Sequence, residues 1–120
     1  DIGAIKKVLQ ALKDDRAVVL FPEGTRSPDG RLQKPKAGVG LMACKTGVPV
    51  VPCRVYDSFQ AFGKGRLVPI FGTPVTIVFG PPISPSDYDD PAAGKARYET
   101  AAQRIMDRIA SLPRPHYAVI

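Results

Sequence analysis

The feature that most constrains the fold is an uninterrupted apolar run at residues 17–21, which follows a segment with helical periodicity. No polar residue alternates within the run, which is typical of a strand covered on both faces. In residues 2–12, apolar side chains recur every three or four positions with lysines between them, which predicts an amphipathic helix. A helix followed by a buried strand predicts an α/β fold, with a mostly parallel or mixed sheet flanked by helices.

The remaining sequence predicts further elements of one domain. A short helix is expected over residues 37–45, closed by Gly47. Valine-rich residues 48–55 predict a strand that leaves its sheet early, because Pro49 and Pro52 cannot donate to a ladder. Residues 67–71 and 75–79 predict two neighbouring strands near the end of the sheet. The last helix is predicted from apolar residues at helical spacing, before Pro113 ends it: Tyr98, Ala102, Ile105, Ile109 and Leu112.

Three segments are predicted to be irregular. Residues 27–30 match the preferences of a type I turn. Residues 57–66 form a glycine-rich basic loop with aromatic members, which could reach a ligand or a membrane. Residues 84–94 are rich in proline, serine and aspartate, which predicts a connecting loop.

The composition narrows the classes of partner. Seventeen basic and eleven acidic residues give a net charge of +6, which favours polyanions, anionic lipid surfaces or phosphorylated ligands. A solvated basic surface is the plainer interpretation of that charge, and nucleic-acid binding has only the positive charge in its favour. No apolar run approaches the roughly 18 residues of a membrane span, and the start of the chain lacks the layout of a signal peptide. Cys44 and Cys53 are expected to be free thiols, as in a reducing, cytosol-facing compartment, and no metal site is predicted.

The segment after the apolar run has the chemistry of an anion site. The guanidinium of Arg26 can hold two phosphate oxygens at once, and Gly24 lets the backbone approach a ligand closely. Glu23 could orient that guanidinium or accept a hydrogen bond from a substrate hydroxyl; alternatively it forms a local ion pair with Arg26. Thr25 and Ser27 could donate hydroxyls, although such residues also form turns.

Lys36 precedes a predicted helix whose amino-terminal amides could also face an anion. A solvated loop lysine is the alternative interpretation. The glycine pattern at residues 38–43 formally matches a dinucleotide-binding motif, but it follows a basic loop and not a strand, so chance explains it better.

The segment Phe-Pro-Glu-Gly-Thr-Arg-Ser at residues 21–27 resembles the third conserved block of the glycerolipid acyltransferases, the family that includes 1-acylglycerol-3-phosphate acyltransferase. Residues 47–52 resemble the fourth block, and residues 36–38 resemble the lysine and glycine found between the two. The resemblance implies that residues 1–120 are the carboxyl-terminal part of a single, incomplete glycerol-3-phosphate acyltransferase-like domain.

The resemblance also implies a function. A fatty acyl group would pass from acyl-CoA or acyl-carrier protein, as co-substrate and without a further cofactor, to a lysophosphatidate-like acceptor in phospholipid biosynthesis. This chain would supply phosphate binding, and the fourth block would lie on the acyl-donor side. The implied substrate-binding residues are Glu23, Gly24, Thr25, Arg26, Ser27 and Lys36.

The catalytic block of the family, His-x-x-x-x-Asp, is absent from this sequence, because its only histidine is His116. No catalytic residue is therefore predicted here, and the fragment alone is expected to be inactive. The expected partners are the lipid, the acyl thioester, a membrane surface and the missing amino-terminal half of the domain, but not nucleic acid. The expected location is the cytoplasmic face of a membrane, peripheral or anchored by a segment outside this chain. The alternative is a non-catalytic module that binds anionic lipid or another phosphorylated ligand.

Overall fold

A computed structural model of the chain describes residues 2–58 and 74–115. In these residues three helices of 10 to 14 residues and a small sheet make up the fold, with shorter helical segments between the sheet and the last helix. We number the elements in chain order: α1 Ile2–Lys13, α2 Ala37–Thr46, β1 Cys53–Tyr56, β2 Thr76–Phe79, α3 Pro85–Tyr88, the 3₁₀ helix Pro91–Ala96 and α4 Arg97–Ala110.

The core forms where α2 packs against α4. These helices approach closely at Gly40, since a Cβ atom at that position would lie 1.9 Å from the carbonyl oxygen of Tyr98. The glycine pattern of residues 38–43 thus serves helix packing at Gly40, not a dinucleotide. The buried apolar side chains are Met42, Ala43, Ile83, Tyr88, Ala101, Ala102, Ile105, Met106, Ile109 and Leu112.

Tyr88 joins α3 to the carboxyl end of α2. Its ring is fully buried, and its hydroxyl donates to the carbonyl oxygens of Val48 at 2.8 Å and Ala43 at 3.0 Å. Burial raises the pKa of Tyr88 to about 12, so the phenol stays protonated and keeps donating. Gly47 ends α2 in the left-handed conformation, with φ of 64°. The prediction of a glycine-closed helix is confirmed, and the helix extends one residue further than predicted.

An ion pair fixes the start of α4. The Arg97 side chain donates two hydrogen bonds, both of 2.7 Å, to the two carboxylate oxygens of Asp89. These bonds hold the pKa of Asp89 below its usual value and raise that of Arg97. Burial, reinforced by Asp89, raises the pKa of the nearby Cys44 thiol to about 11, so this cysteine stays protonated at neutral pH and is a poor nucleophile.

The two strands form an antiparallel pair in which Cys53 faces Phe79 and Tyr56 faces Thr76. The predicted strand at residues 48–55 was wrong in its bounds: apart from a bridge between Val50 and Ile83, pairing begins only after Pro52. The prolines therefore delay the strand and do not end it early, because neither can donate to a ladder.

The sheet is held to the end of α4 by side chains on one of its faces. Arg54 donates to the carbonyl oxygen of Ala110 at 2.7 Å and lies over the Tyr56 ring. The Tyr56 hydroxyl donates to the carbonyl oxygen of Leu112. The opposite face of the sheet carries exposed apolar side chains, which are Val55, Ile77 and Phe79.

Several other predictions can be compared with the structure. The first and last helices are confirmed, as is the strand predicted at residues 75–79, which spans Thr76–Phe79. The loop predicted at residues 84–94 was wrong, because it contains α3 and the start of the 3₁₀ helix, each with a proline at its beginning. The predicted strand at 67–71 and most of the predicted loop at 57–66 lie outside the described residues.

The predicted buried strand at residues 17–21 was also wrong. The segment is not part of a sheet, and Val19 and Phe21 are 83% and 74% exposed. Within residues 2–58 and 74–115, no backbone hydrogen bond joins residues 17–20 to another segment. A strand exists only as one member of a ladder, so a sequence suited to a central strand has no ladder to join here.

None of the helices in the described residues is both long enough and apolar enough to span a bilayer.

Candidate anion-binding site

A trough of about 1530 Å³ runs along the sheet side of the helical core. Its floor includes the core residues Met42, Ile105 and Ile109, and its walls include the exposed face of the sheet and residues 16–27. The segment that carries the predicted anion site therefore borders a large, mostly apolar opening. We call this space the trough below.

A loop at residues 22–36 rises from one wall of the trough and is closed at its base by two short hydrogen bonds. The Lys36 amide donates to the carbonyl oxygen of Pro22 at 2.7 Å. The Gln33 amide donates to the Glu23 carboxylate, also at 2.7 Å. Because the second bond involves a charged acceptor, it belongs to the stronger class of hydrogen bonds. The ends of a 15-residue loop are thus held together by one main-chain and one side-chain contact.

Gly24 sits where the closed base of the loop leaves little room. Its φ of 73° is left-handed, and its amide donates to the carbonyl oxygen of Phe21 at 3.0 Å to complete a tight turn. A Cβ atom at Gly24 would lie 3.2 Å from Cγ of Lys36, so the lysine stem packs directly on this glycine. The structure thereby brings together two of the predicted site residues that are twelve positions apart.

The tip of the loop is shaped by side chains that bond to nearby backbone. The Ser27 hydroxyl donates to Asp29 at 3.2 Å, and the Arg31 amide donates to the same carboxylate oxygen at 3.0 Å. The bond from the Arg31 amide is the main cause that lowers the pKa of Asp29. The turn predicted at residues 27–30 is accordingly a bend held by side chains, and its last residue, Gly30, has a φ of 84°.

These bonds leave the loop with a basic character. Both of its acidic side chains, Glu23 and Asp29, accept hydrogen bonds from the amides of the loop itself. Its four basic side chains, all on exposed residues, are Arg26, Arg31, Lys34 and Lys36. With four basic and two acidic side chains, the loop carries a net charge of +2, which favours an anion.

The predicted site residues fall on two adjoining openings. Glu23, Gly24, Thr25, Arg26 and Ser27 line the trough. Lys36 instead lines a smaller cavity of about 290 Å³ together with Lys34, Glu99 and Gln103 at the start of α2. Its stem packs on Gly24, which lines the trough. Its role as a ligand, and those of the other five residues, stay predictions.

Two residues of this arrangement were missed from sequence. Gln33 donates its backbone amide to Glu23 and its side-chain amide to Ser27 and to the carbonyl oxygen of Arg31. Arg31 adds a second guanidinium to the wall of the trough. The basic character of the loop could have indicated Arg31, but nothing in the local pattern marks Gln33, because its contact with Glu23 spans ten positions.

Comparison with known proteins assigns the chain to a family. A sequence model of the family described as Acyltransferase matches residues 1–56, which include the whole 22–36 loop. The fold also matches the crystal structure of the 1-acyl-sn-glycerophosphate acyltransferase PlsC from Thermotoga maritima, with a TM-score of 0.69 and 28% identity over 90% of this chain. The chain therefore belongs to the glycerolipid acyltransferase family, and its α/β class is confirmed by the same match.

The similar curated proteins are 1-acyl-sn-glycerol-3-phosphate acyltransferases. A chloroplastic protein from Brassica napus is 41% identical over 68 residues, which is 57% of this chain and 18% of that protein. A protein from Chlamydomonas reinhardtii is 33% identical over 101 residues, or 84% of this chain and 30% of that protein. One from Pseudomonas aeruginosa is 35% identical over 72 residues, or 60% and 27%. This chain thus spans less than a third of each relative, and 44% of the Thermotoga chain.

Proposed function

We propose that this chain forms the phosphate-recognising part of an enzyme that transfers a fatty acyl group to a lysophosphatidate-like acceptor. The observation that carries the proposal is the 22–36 loop, which is closed by two 2.7 Å hydrogen bonds and presents Arg26 and Arg31 to the trough. A closed loop loses little freedom when it binds, so its cations are placed in advance. The family membership supports this choice of ligand among phosphorylated compounds.

The proposal assigns separate roles within the loop. Arg26 binds the phosphate through two parallel hydrogen bonds, and Lys36 adds charge from beside Gly24. Thr25 lies beside Arg26, where its hydroxyl can donate to a phosphate oxygen. Ser27 can do the same only by giving up its hydrogen bond to Asp29. Glu23 acts by positioning: its carboxylate binds the Gln33 amide and thereby fixes the turn that carries Arg26.

The chemistry itself requires groups beyond this chain. The acceptor hydroxyl attacks the thioester carbonyl, its oxygen forms the new ester bond, and the thiol of coenzyme A or of acyl-carrier protein leaves. A general base must take the hydroxyl proton, and in the proposed enzyme this is the histidine of the His-x-x-x-x-Asp block that the family resemblance implies. We accordingly expect the 120-residue chain to bind the acceptor without transferring the acyl group.

The proposed setting is a membrane surface, since donor and acceptor both carry acyl chains. The net charge of +6 favours anionic lipid over neutral lipid. The cytoplasmic face is the side proposed, with peripheral association or an anchor outside this chain.

A binding assay tests the acceptor site. The full chain should float with phosphatidylcholine vesicles that contain lysophosphatidate more strongly than with phosphatidylcholine alone. Replacing Arg26 by Ala should weaken that preference by roughly 10- to 100-fold, as expected for the loss of a charge-assisted pair. Replacing Arg108, an exposed arginine of α4 outside both cavities, is the control for net charge. Equal losses for the two variants would reject the site.

The alternative function is a non-catalytic module for anionic lipid or another phosphorylated ligand. A His-x-x-x-x-Asp block ahead of residue 1 would favour the enzyme, and its absence there would favour the module. The module predicts binding but no acyl transfer even in the complete natural protein. An assay of thiol release from acyl-CoA by that protein separates the two functions, because the enzyme turns over and the module does not.

A further inference from the structure

The tip of the 22–36 loop gives Asp29 a role in the proposed phosphate site. We propose that the Asp29 carboxylate holds the Ser27 hydroxyl in the free protein and releases it to a phosphate oxygen when the acceptor binds. Asp29 is then a positioning residue that acts through Ser27 and limits how tightly the site holds phosphate. The inference rests on the proposed function, because it concerns the same anion site.

A single bond dominates the hold on the Ser27 hydroxyl. The hydroxyl donates to Oδ1 of Asp29 at 3.2 Å, while two donors, the Asp29 amide and the Gln33 side-chain amide, lie 3.4 Å from its oxygen. N–H donors beyond about 3.2 Å bond weakly, and bonds to a charged acceptor are roughly twice as strong as neutral ones. The bond to the carboxylate is therefore the main cost of turning the hydroxyl to another acceptor.

That bond is also long enough to be replaced. Hydroxyl donors usually lie about 2.8 Å from their acceptor, and the Ser27 bond measures 3.2 Å. A phosphate oxygen at the usual distance would also be charged and would form the shorter bond. Ser27 would thus exchange one charged acceptor for a better placed one, and the cost of breaking its bond to Asp29 lowers the affinity of the site.

Asp29 keeps a second partner when Ser27 leaves. The Arg31 amide donates to the same Oδ1 atom at 3.0 Å and is the main cause that lowers the pKa of Asp29. The carboxylate therefore stays charged at neutral pH, and the Arg31 bond holds it at the tip of the loop. Because Asp29 is also exposed to water, release of the hydroxyl does not leave its charge without a hydrogen bond.

The placement of the two residues allows the exchange. Ser27 is half-buried and lines the trough, whereas Asp29 is exposed and does not line it. A phosphate bound by Arg26, the residue before Ser27, would offer its oxygens on the trough side. A serine hydroxyl reaches different partners by rotation about its own side-chain bonds, so the backbone of the loop need not move.

Asp29→Asn tests the exchange, because asparagine keeps an oxygen that accepts from the Arg31 amide but removes the charge that holds Ser27. The full chain is titrated with sn-glycerol 3-phosphate, and the dissociation constant is read from the amide resonance of Arg26. We expect Asp29→Asn to bind about 3- to 10-fold more tightly, because a hydrogen bond to a charged group no longer has to be broken. If Asp29 only shaped the loop, its replacement would weaken binding. Equal or weaker binding would therefore overturn the proposal.

Ser27→Ala separates competition for the hydroxyl from simple repulsion between charges. In that background Asp29→Asn should change the dissociation constant by less than about 2-fold, since no hydroxyl is left to release. Asp107→Asn, which removes the same charge from an exposed residue of α4 outside both cavities, should also change it by less than about 2-fold. An equal gain without Ser27, or from Asp107→Asn, would show a general charge effect and overturn the proposal.

Arg26→Ala distinguishes failure of this proposal from failure of the phosphate site itself. Binding that depends on Arg26 but does not tighten in Asp29→Asn would reject the role of Asp29 and leave the phosphate site in place. Absence of any binding that depends on Arg26 would reject both.

Discussion

The helical core and the wall of the trough both carry apolar side chains, yet they differ in how far the described residues cover them. In the core, Ile105 of α4 is 1% exposed and Tyr88 of α3 has no exposed surface. Along residues 17–21, the most apolar run before the loop, Val19 and Phe21 remain open to solvent. An apolar segment is therefore buried only where another layer of the fold is present to cover it. The core should therefore respond to small changes in side-chain volume, and the wall should not.

The largest effect is expected from Gly40→Ala. Its added methyl would overlap the carbonyl oxygen of Tyr98, which belongs to the backbone of α4 and cannot turn away. We expect the free energy of unfolding to fall by about 3 kcal/mol, at the upper end of typical overpacking costs. Urea denaturation followed by circular dichroism measures it. Gly38→Ala is the matched control on the same helix, where the nearest atom lies 3.9 Å away; an equal loss there would show that the helices do not cross as described.

The next effect concerns the closed loop. Glu23→Ala removes the acceptor of the Gln33 amide, and a hydrogen bond to a charged group contributes about 1.5–3 kcal/mol. Exchange of the Gln33 amide should accelerate at least about 10-fold, while core amides such as that of Ile105 keep their rates. Glu23→Gln retains an acceptor oxygen and should lie between wild type and Glu23→Ala. If all three proteins exchange alike, Glu23 does not brace the loop.

A smaller effect on stability is expected when the same substitution, isoleucine to valine, is made in the core and on the wall of the trough. Ile105→Val removes a methylene from the core and should lower the free energy of unfolding by about 1 kcal/mol. Ile77→Val makes the same change on the exposed face of the sheet, where Ile77 is 55% exposed, and should alter stability by less than about 0.5 kcal/mol. Comparable losses from the two variants, measured by urea denaturation, would mean that the wall is already covered.

The smallest effect depends on pH. The folded-state pKa of Asp89 is held below the value of 3.8 for a free aspartate. Its ion pair with Arg97 therefore stabilises the fold above that value, and the contribution is lost as the pH falls through the folded-state pKa. Asp89→Asn should lower the melting temperature at pH 7, and the difference should shrink below about pH 4. Asp107→Asn, at an exposed aspartate of α4, is the control; a difference that persists at pH 2 would contradict the assignment.

Sequence predicted the parts of the fold whose stabilising contacts are local or strongly periodic. The spacing of Ile105 and Ile109 marked α4, and Gly47 marked the end of α2. The prediction of a strand at residues 17–21 was wrong because apolar composition shows only that a segment is suited to a buried strand. Whether the strand forms depends on pairing with segments elsewhere in the sequence. The basic site could be predicted as a set of residue types, but its closure through Gln33 could not, since that bond joins a side chain to a backbone amide ten positions away.

The central claim, that the 22–36 loop recognises phosphate through Arg26, is tested most directly by mapping a ligand on the amide spectrum of the full chain. Titration with sn-glycerol 3-phosphate should shift the amide resonances of Gly24, Thr25, Arg26 and Ser27 in a saturable manner, with inorganic phosphate competing for the same residues. The shifts should be lost in Arg26→Ala and kept in Arg108→Ala. Shifts that spread over the basic residues of α1 and α4, or that persist without Arg26, would contradict the account.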